Sequence, residues 1–136
     1  MDLMNSLKVA ASGLRAQSGR MRVISENLAN ANSTGDRPGV EPYQRQISTF
    51  SSELDRASGA MVVRPGRTML DLSEFGSRYE PGHPAADERG YIQTPNVNTL
   101  IETMDMREAQ RSYEANLNVV SATRRMLSKT LEILRA

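Results

Sequence analysis

A heptad-spaced apolar stripe runs along both ends of this 136-residue chain, and all six prolines lie between them. At the start, Leu3, Leu7, Ala10, Leu14, Gln17, Met21, Ile24, Leu28 and Ala31 alternate spacings of four and three residues. Tyr113, Leu117, Val120, Arg124, Leu127, Leu131 and Leu134 do the same at the finish. Such a stripe stays on one side of a helix and favours packing against another helix. The sequence therefore predicts a mainly α fold, an antiparallel pair of long terminal helices in a coiled coil, with a small β-rich module between them. The expected divisions are 1–34 for the first helix, 35–96 for the middle module and 97–136 for the second helix.

The first helix is read from Asp2 to Asn32. Ser12, Gly13, Ser18 and Gly19 interrupt it, and each glycine costs up to about 1 kcal/mol relative to alanine. Alone in water such a segment is marginal, whereas Ala10, Ala11 and Gly13 let a neighbouring helix come close. Weak alone and good at packing describes a helix that orders when it assembles. The cluster Asn27, Asn30, Asn32, Ser33, Thr34 and Gly35 ends it, because these side chains compete for backbone hydrogen bonds and glycine suits a left-handed cap.

Between Gly35 and Pro95 come all six prolines, seven of nine glycines and five of six aromatics. Turn signals stand at Arg37-Pro38-Gly39, Arg64-Pro65-Gly66 and Glu80-Pro81-Gly82. Ala60 to Arg64 and Tyr91 to Thr94 read as strands, Tyr43 to Phe50 as an ambiguous third, and Ser51 to Ala57 as a short helical turn. After Pro95, Thr99 and Glu102 form a capping-box pattern that starts the second helix. From there no breaker intervenes. The pairs Val119 and Val120, Met126 and Leu127, Ile133 and Leu134 recur every seven residues; one partner helix covers only a narrow seam, so doubled positions imply more than one neighbour.

Composition narrows the function. The formal charge of +1, with arginines dispersed among acids, argues against a nucleic-acid surface. Arg15, Arg20, Arg22, Arg107, Arg111, Arg124 and Arg125 read as solvated faces that pair with Glu26, Glu102, Glu108 or Glu114, or as a face for an acidic partner. Arg124 falls on the stripe and either snorkels outward or pairs across an interface. Gln17, Asn27 and Asn30 are solvent-exposed or fix register. Cysteine is absent, which excludes disulfides and thiolate chemistry. The N-terminus has no basic region or apolar core of a secretory signal, and no stretch approaches the roughly 20 apolar residues that span a bilayer.

Catalytic chemistry finds little support. His83, with Asp87 and Glu88 nearby, is the single histidine; it reads as part of a polar loop, since metal sites need three or four converging ligands. No nucleophile elbow and no phosphate-binding glycine motif occur. The sequence therefore predicts no catalytic, cofactor-binding or metal residues, and no cofactor.

Two stretches carry a resemblance. Ser12-Gly-Leu-Arg-Ala-Gln17 and Asn27-Leu-Ala-Asn30-Ala-Asn-Ser-Thr-Gly35, the latter holding the signature residues Asn27, Leu28, Ala29 and Asn30, resemble the N-terminal signature of bacterial flagellar rod and hook proteins. The run from Tyr79 to Asn98, with Met104-Asp-Met, Arg111-Ser-Tyr-Glu-Ala-Asn116 and Met126-Leu-Ser-Lys-Thr-Leu131, is similar to proximal rod proteins of the FlgC type. The resemblance implies a structural subunit of the flagellar basal body, exported uncleaved through the flagellar type III apparatus and assembled in the periplasm. It implies terminal helices that pack with like subunits and other rod proteins, and a rod that carries torque from motor to hook. Leu3, Leu7, Leu14, Met21, Ile24, Leu28, Tyr113, Leu117, Val120, Leu127, Leu131 and Leu134 are then the expected assembly interface. The alternatives are a B-type proximal rod protein or a secreted coiled-coil interaction protein.

Overall fold

The computed structural model describes residues 2–135. Helix α1 spans Leu3–Ala29 and α2 spans Thr99–Arg135; between them lie β1 (Gln46–Ile47), β2 (Phe50–Asp55), β3 (Ala60–Pro65), β4 (Met69–Leu70), β5 (Gly76–Tyr79) and β6 (Tyr91–Thr94). The strands pair antiparallel as β1 with β4, β2 with β3, and β5 with β6. The two helices pack together antiparallel with small sheets between them in sequence, as the stripes predict.

The chain divides into two compact units. The first holds α1 as far as Met21, the segment Ser48–Arg67 and α2 from Arg107 onward. Within it α1 and α2 come close where Gly13 faces Asn116: a Cβ on Gly13 would stand 2.9 Å from the Asn116 amide. Arg20 meets Glu108 at 3.3 Å about two turns further along. Ala10, Ala16, Ala109 and Thr123 are buried in this unit, and small side chains permit close packing.

The same unit carries the β2–β3 hairpin, in register from Phe50 opposite Pro65 to Asp55 opposite Ala60. Ser51 to Ala57 is thus mostly strand and not a helical turn. Its helix-like composition is overridden because Ser52 and Leu54 pair with Val63 and Met61. At the tip, Gly59 adopts φ +68°, a left-handed conformation that glycine takes without strain, and its N–H donates to Asp55 O at 2.7 Å. Three contacts tie the hairpin to α1. The Val63 N–H donates to Ser12 Oγ at 3.1 Å, Lys8 Nζ reaches Asp55 at 2.8 Å, and Asn5 donates to Ser58 O at 3.0 Å.

The second unit holds α1 from Arg22, residues 22–47, and Thr68–Met106 with the start of α2. Ile92 on β6 is its buried apolar centre, 1% exposed. β5 and β6 pair Tyr79 with Tyr91, whose rings meet edge to face at 5.2 Å. A Cβ at Gly90 would collide with the Tyr79 ring, and its φ of +85° also favours glycine.

Helix α1 stops at Ala29, three residues short of the expected Asn32. Asn30 turns back to donate from Nδ2 to Glu26 O at 2.9 Å and accepts from Ser33 Oγ at 3.0 Å, which satisfies a terminal carbonyl and ends the helix. At α2 the cap is Asn98 and not Thr99: its Oδ1 accepts from the Leu100 and Ile101 N–H groups at 3.0 and 3.3 Å. Glu102 is released from the capping role because its carboxylate has stronger partners elsewhere.

Candidate assembly interface

Those partners form a buried polar junction in the second unit. Asn27, 1% exposed, uses all of its hydrogen-bonding capacity. Its Nδ2 donates to Gln46 O at 2.8 Å and Glu102 Oε2 at 3.1 Å, while its Oδ1 accepts from Tyr43 Oη and the Gln46 N–H, both at 2.9 Å. One side chain thereby joins the end of α1, the approach to β1, β1 itself and the start of α2. Glu102, fully buried, receives Arg45 Nε on Oε1 at 2.5 Å. Arg45 Nη1 also donates to Asp71 at 3.2 Å, and Nη2 lies 3.8 Å from Asp105. Asn96 closes the cluster, accepting from the Arg45 N–H at 2.7 Å and donating to Asp71 O at 3.1 Å.

The electrostatics follow from this packing. Burial alone would lower the Arg45 pKa, yet hydrogen bonds and charge from Glu102 and Asp71 raise it above the usual arginine value. Hydrogen bonds from Ser73, then Arg45, hold the Asp71 carboxyl below the usual range. Burial first, and the Glu26 and Glu102 carboxylates next, push the Tyr43 hydroxyl up. A fully paired cluster of this kind fixes one arrangement of its segments.

His83 is also structural. The Ala85 N–H donates to Nδ1 at 3.0 Å, so in the neutral ring Nε2 carries the proton and donates to Thr34 Oγ1 at 3.2 Å. No group of three potential metal ligands occurs among the described residues.

The stripe residues behave differently. On α1 the buried residues are Ala10, Ser12, Ala16, Val23, Ile24 and Asn27; of these only Ala10 and Ile24 belong to the stripe, whose members Leu3, Leu7, Leu14, Met21 and Leu28 stay partly buried. The Gln17 Oε1 is enclosed without a hydrogen-bond partner among the described residues. On α2, Tyr113, Val120 and Leu127 are partly buried and Arg124 is exposed, while Leu117, Leu131 and Leu134 are 45%, 58% and 78% exposed. The doubled pairs split. Val119 and Met126 are exposed where Val120 and Leu127 are partly covered. The accessible surface is 9747 Å², about 2,600 Å² above the roughly 7,100 Å² expected of a compact 15.1 kDa monomer.

Residues 7–35 match the model of flagella basal body rod proteins, and residues 88–133 match the C-terminal model of flagellar basal body rod FlgEFG proteins. The flagellar basal-body rod protein FlgC of Agrobacterium fabrum is 52% identical over 95% of this chain and 93% of its own length. The chain belongs to the FlgC family. FlgC of Escherichia coli is 38% identical over 98% of both chains, and that of Aquifex aeolicus 36% over 97% of both. As a FlgC family member the chain is a structural subunit of the flagellar basal-body rod and not an enzyme. This favours the rod reading over a secreted coiled-coil protein or a B-type subunit. Within the N-terminal rod-and-hook signature, Ser12 anchors the hairpin, Gly13 admits Asn116, and Asn27 centres the junction. Among the described residues no helix is long and apolar enough to cross a membrane.

Sequence reasoning missed Tyr43, Arg45, Asp71 and Asn96 altogether. Their hydrogen-bond partners in the junction lie 16 to 57 residues away, and no local pattern announces them.

Proposed function

We propose that this FlgC chain builds the wall of the rod through its terminal helices, with Leu3, Leu7, Leu14, Met21, Leu28, Tyr113, Leu117, Val120, Leu127, Leu131 and Leu134 contributing the packing surface and Ile24 packing within the chain. The observation that carries this reading is the exposure of Leu117, Leu131 and Leu134 on a helix whose own neighbour covers smaller residues. Large apolar side chains on a folded surface mark an interaction site. The partners are like subunits and other rod proteins. The chain reaches them uncleaved through the flagellar export apparatus, assembles in the periplasm and passes torque from motor to hook. Its helices order fully only on stacking.

Replacement of Leu131 by aspartate tests this. Incorporation into basal bodies and motility are expected to be lost while secretion continues; normal motility in Leu131→Asp would remove the packing role.

A further inference from the structure

The formal +1 of the chain conceals a division of charge between its two compact units. The first carries twelve Lys and Arg against six Asp and Glu, a net +6; the second carries five against ten, a net −5. Minority charges are largely neutralised within their own unit. In the second, Arg22, Arg37, Arg45 and Arg78 each pair with a carboxylate; in the first, Lys8 takes up Asp55 and Arg64 takes up Glu53. The excess left over is positive on one unit and negative on the other.

Between α1 and β3 the first unit has an open groove of about 530 Å³, with apolar walls from Val62, Val63 and Pro65 and with Lys8, Arg15 and Arg64 around them. Of these cations only Arg15 has no ion-pair partner among the described residues. On the second unit, the exposed carboxylates with neither an ion pair nor a hydrogen bond among the described residues are Glu41, Glu74 and Glu88. Arg89 follows Glu88 directly, and Glu41 adjoins Val40, a smaller side chain that is 40% exposed. Glu74 stands two residues from Leu72, which at 89% exposure is the most open large apolar side chain among the described residues.

Resting on the reading of the chain as a rod subunit, we propose that the groove of one copy receives the Leu72-Ser73-Glu74 segment of a second copy, with Leu72 against Val62 and Pro65 and Glu74 on Arg15. The chain itself supplies both halves of the contact, apolar for apolar and carboxylate for guanidinium. Copies that met through the same unit would set +6 against +6 or −5 against −5; complementary potentials favour unlike units and suppress the wrong pairing. An apolar helix stripe gives adhesion with little direction, whereas this contact fixes which part of a neighbour sits where. Groove and segment are different patches of one chain, so the contact is heterologous and propagates into a ring or an open helix.

Charge exchange tests the ion pair. Arg15→Glu and Glu74→Arg are each expected to reduce the copies per purified basal body by about fivefold or more, and the chain carrying both to recover to within about twofold of wild type. Singles at wild-type level, or a double variant no better than the singles, would overturn the proposal. Because the native chain has no cysteine, a cysteine pair gives a second readout that leaves the charges alone. Val62→Cys and Leu72→Cys are placed on separate, differently tagged chains expressed together, so that no link can form within one chain. Oxidised basal bodies should contain disulfide-linked dimers that bear both tags. Dimers of one tag alone would show like units meeting, and adducts with another protein would show a different occupant; either result, or no dimer at all, overturns the proposal. Absence of the unaltered chain from basal bodies would overturn the rod reading itself.

Discussion

The junction around Asn27 and the last turns of α2 are built on opposite principles. At the junction the two buried polar side chains are answered: Asn27 by Tyr43, Gln46 and Glu102, and Glu102 by Asn27 and Arg45. Along the end of α2, Met126, Leu131, Ile133 and Leu134 are 56–78% exposed. The first region is complete within one chain and sets its geometry before assembly. The second is energetically unfinished, since each large apolar side chain withdrawn from water is worth about 1.5–3 kcal/mol. Internal specificity comes from polar contacts, and apolar area is kept for neighbours.

The largest blow to that contrast comes from Arg45. Arg45→Met leaves Glu102 buried without its charge partner, which costs about 3–5 kcal/mol; a thermal melt should show the loss, and an unchanged melting temperature would mean the junction adds little. Asn27→Ala removes four hydrogen bonds, and buried groups left unmade cost about 1–3 kcal/mol each. Partial rearrangement limits the expected total to about 3 kcal/mol, measurable by denaturant titration. Ser12→Ala orphans the Val63 N–H at about 1–2 kcal/mol, and should raise hydrogen exchange in β3 while leaving the Asn27 junction protected.

Acid sharpens the comparison from another side. Lys8 first, then Ser58 and the Ala57 N–H, hold the Asp55 carboxyl at about 2, below the ordinary aspartate value of 3.8. A depressed folded value means that the contribution is complete above 3.8 and is lost as pH falls toward 2. Amides at the hairpin tip should therefore lose protection across that window, and Asp55→Asn should abolish the dependence. Smallest of all is the effect of Leu134→Ser on the isolated chain. An exposed position changes stability by no more than about 0.5 kcal/mol, whereas incorporation into rods should fall severalfold.

Periodicity made both helices legible, because a stripe of period 3.5 is a property of neighbouring residues. It did not disclose which face the intramolecular partner would take. α1 and α2 come close where Gly13 faces Asn116, while Leu117, Leu131 and Leu134 of the larger stripe stay exposed. Glu102 stood at the right place for a helix cap, yet Asn98 caps the helix, since Arg45, 57 residues away, claims the carboxylate. Likewise the strand character of β2 depends on β3, and the role of Asn27 depends on Tyr43 and Gln46. Local pattern carries propensity; it does not carry the identity of a distant partner.

Hydrogen exchange across α2, in the dilute subunit and in isolated basal bodies, tests the central claim most directly. Residues 128–135 should exchange rapidly in the subunit and become protected in the rod, while the amides around Asn27 and Glu102 are protected in both. Full protection of the last turns in the dilute subunit, or no gain there on assembly, would contradict it.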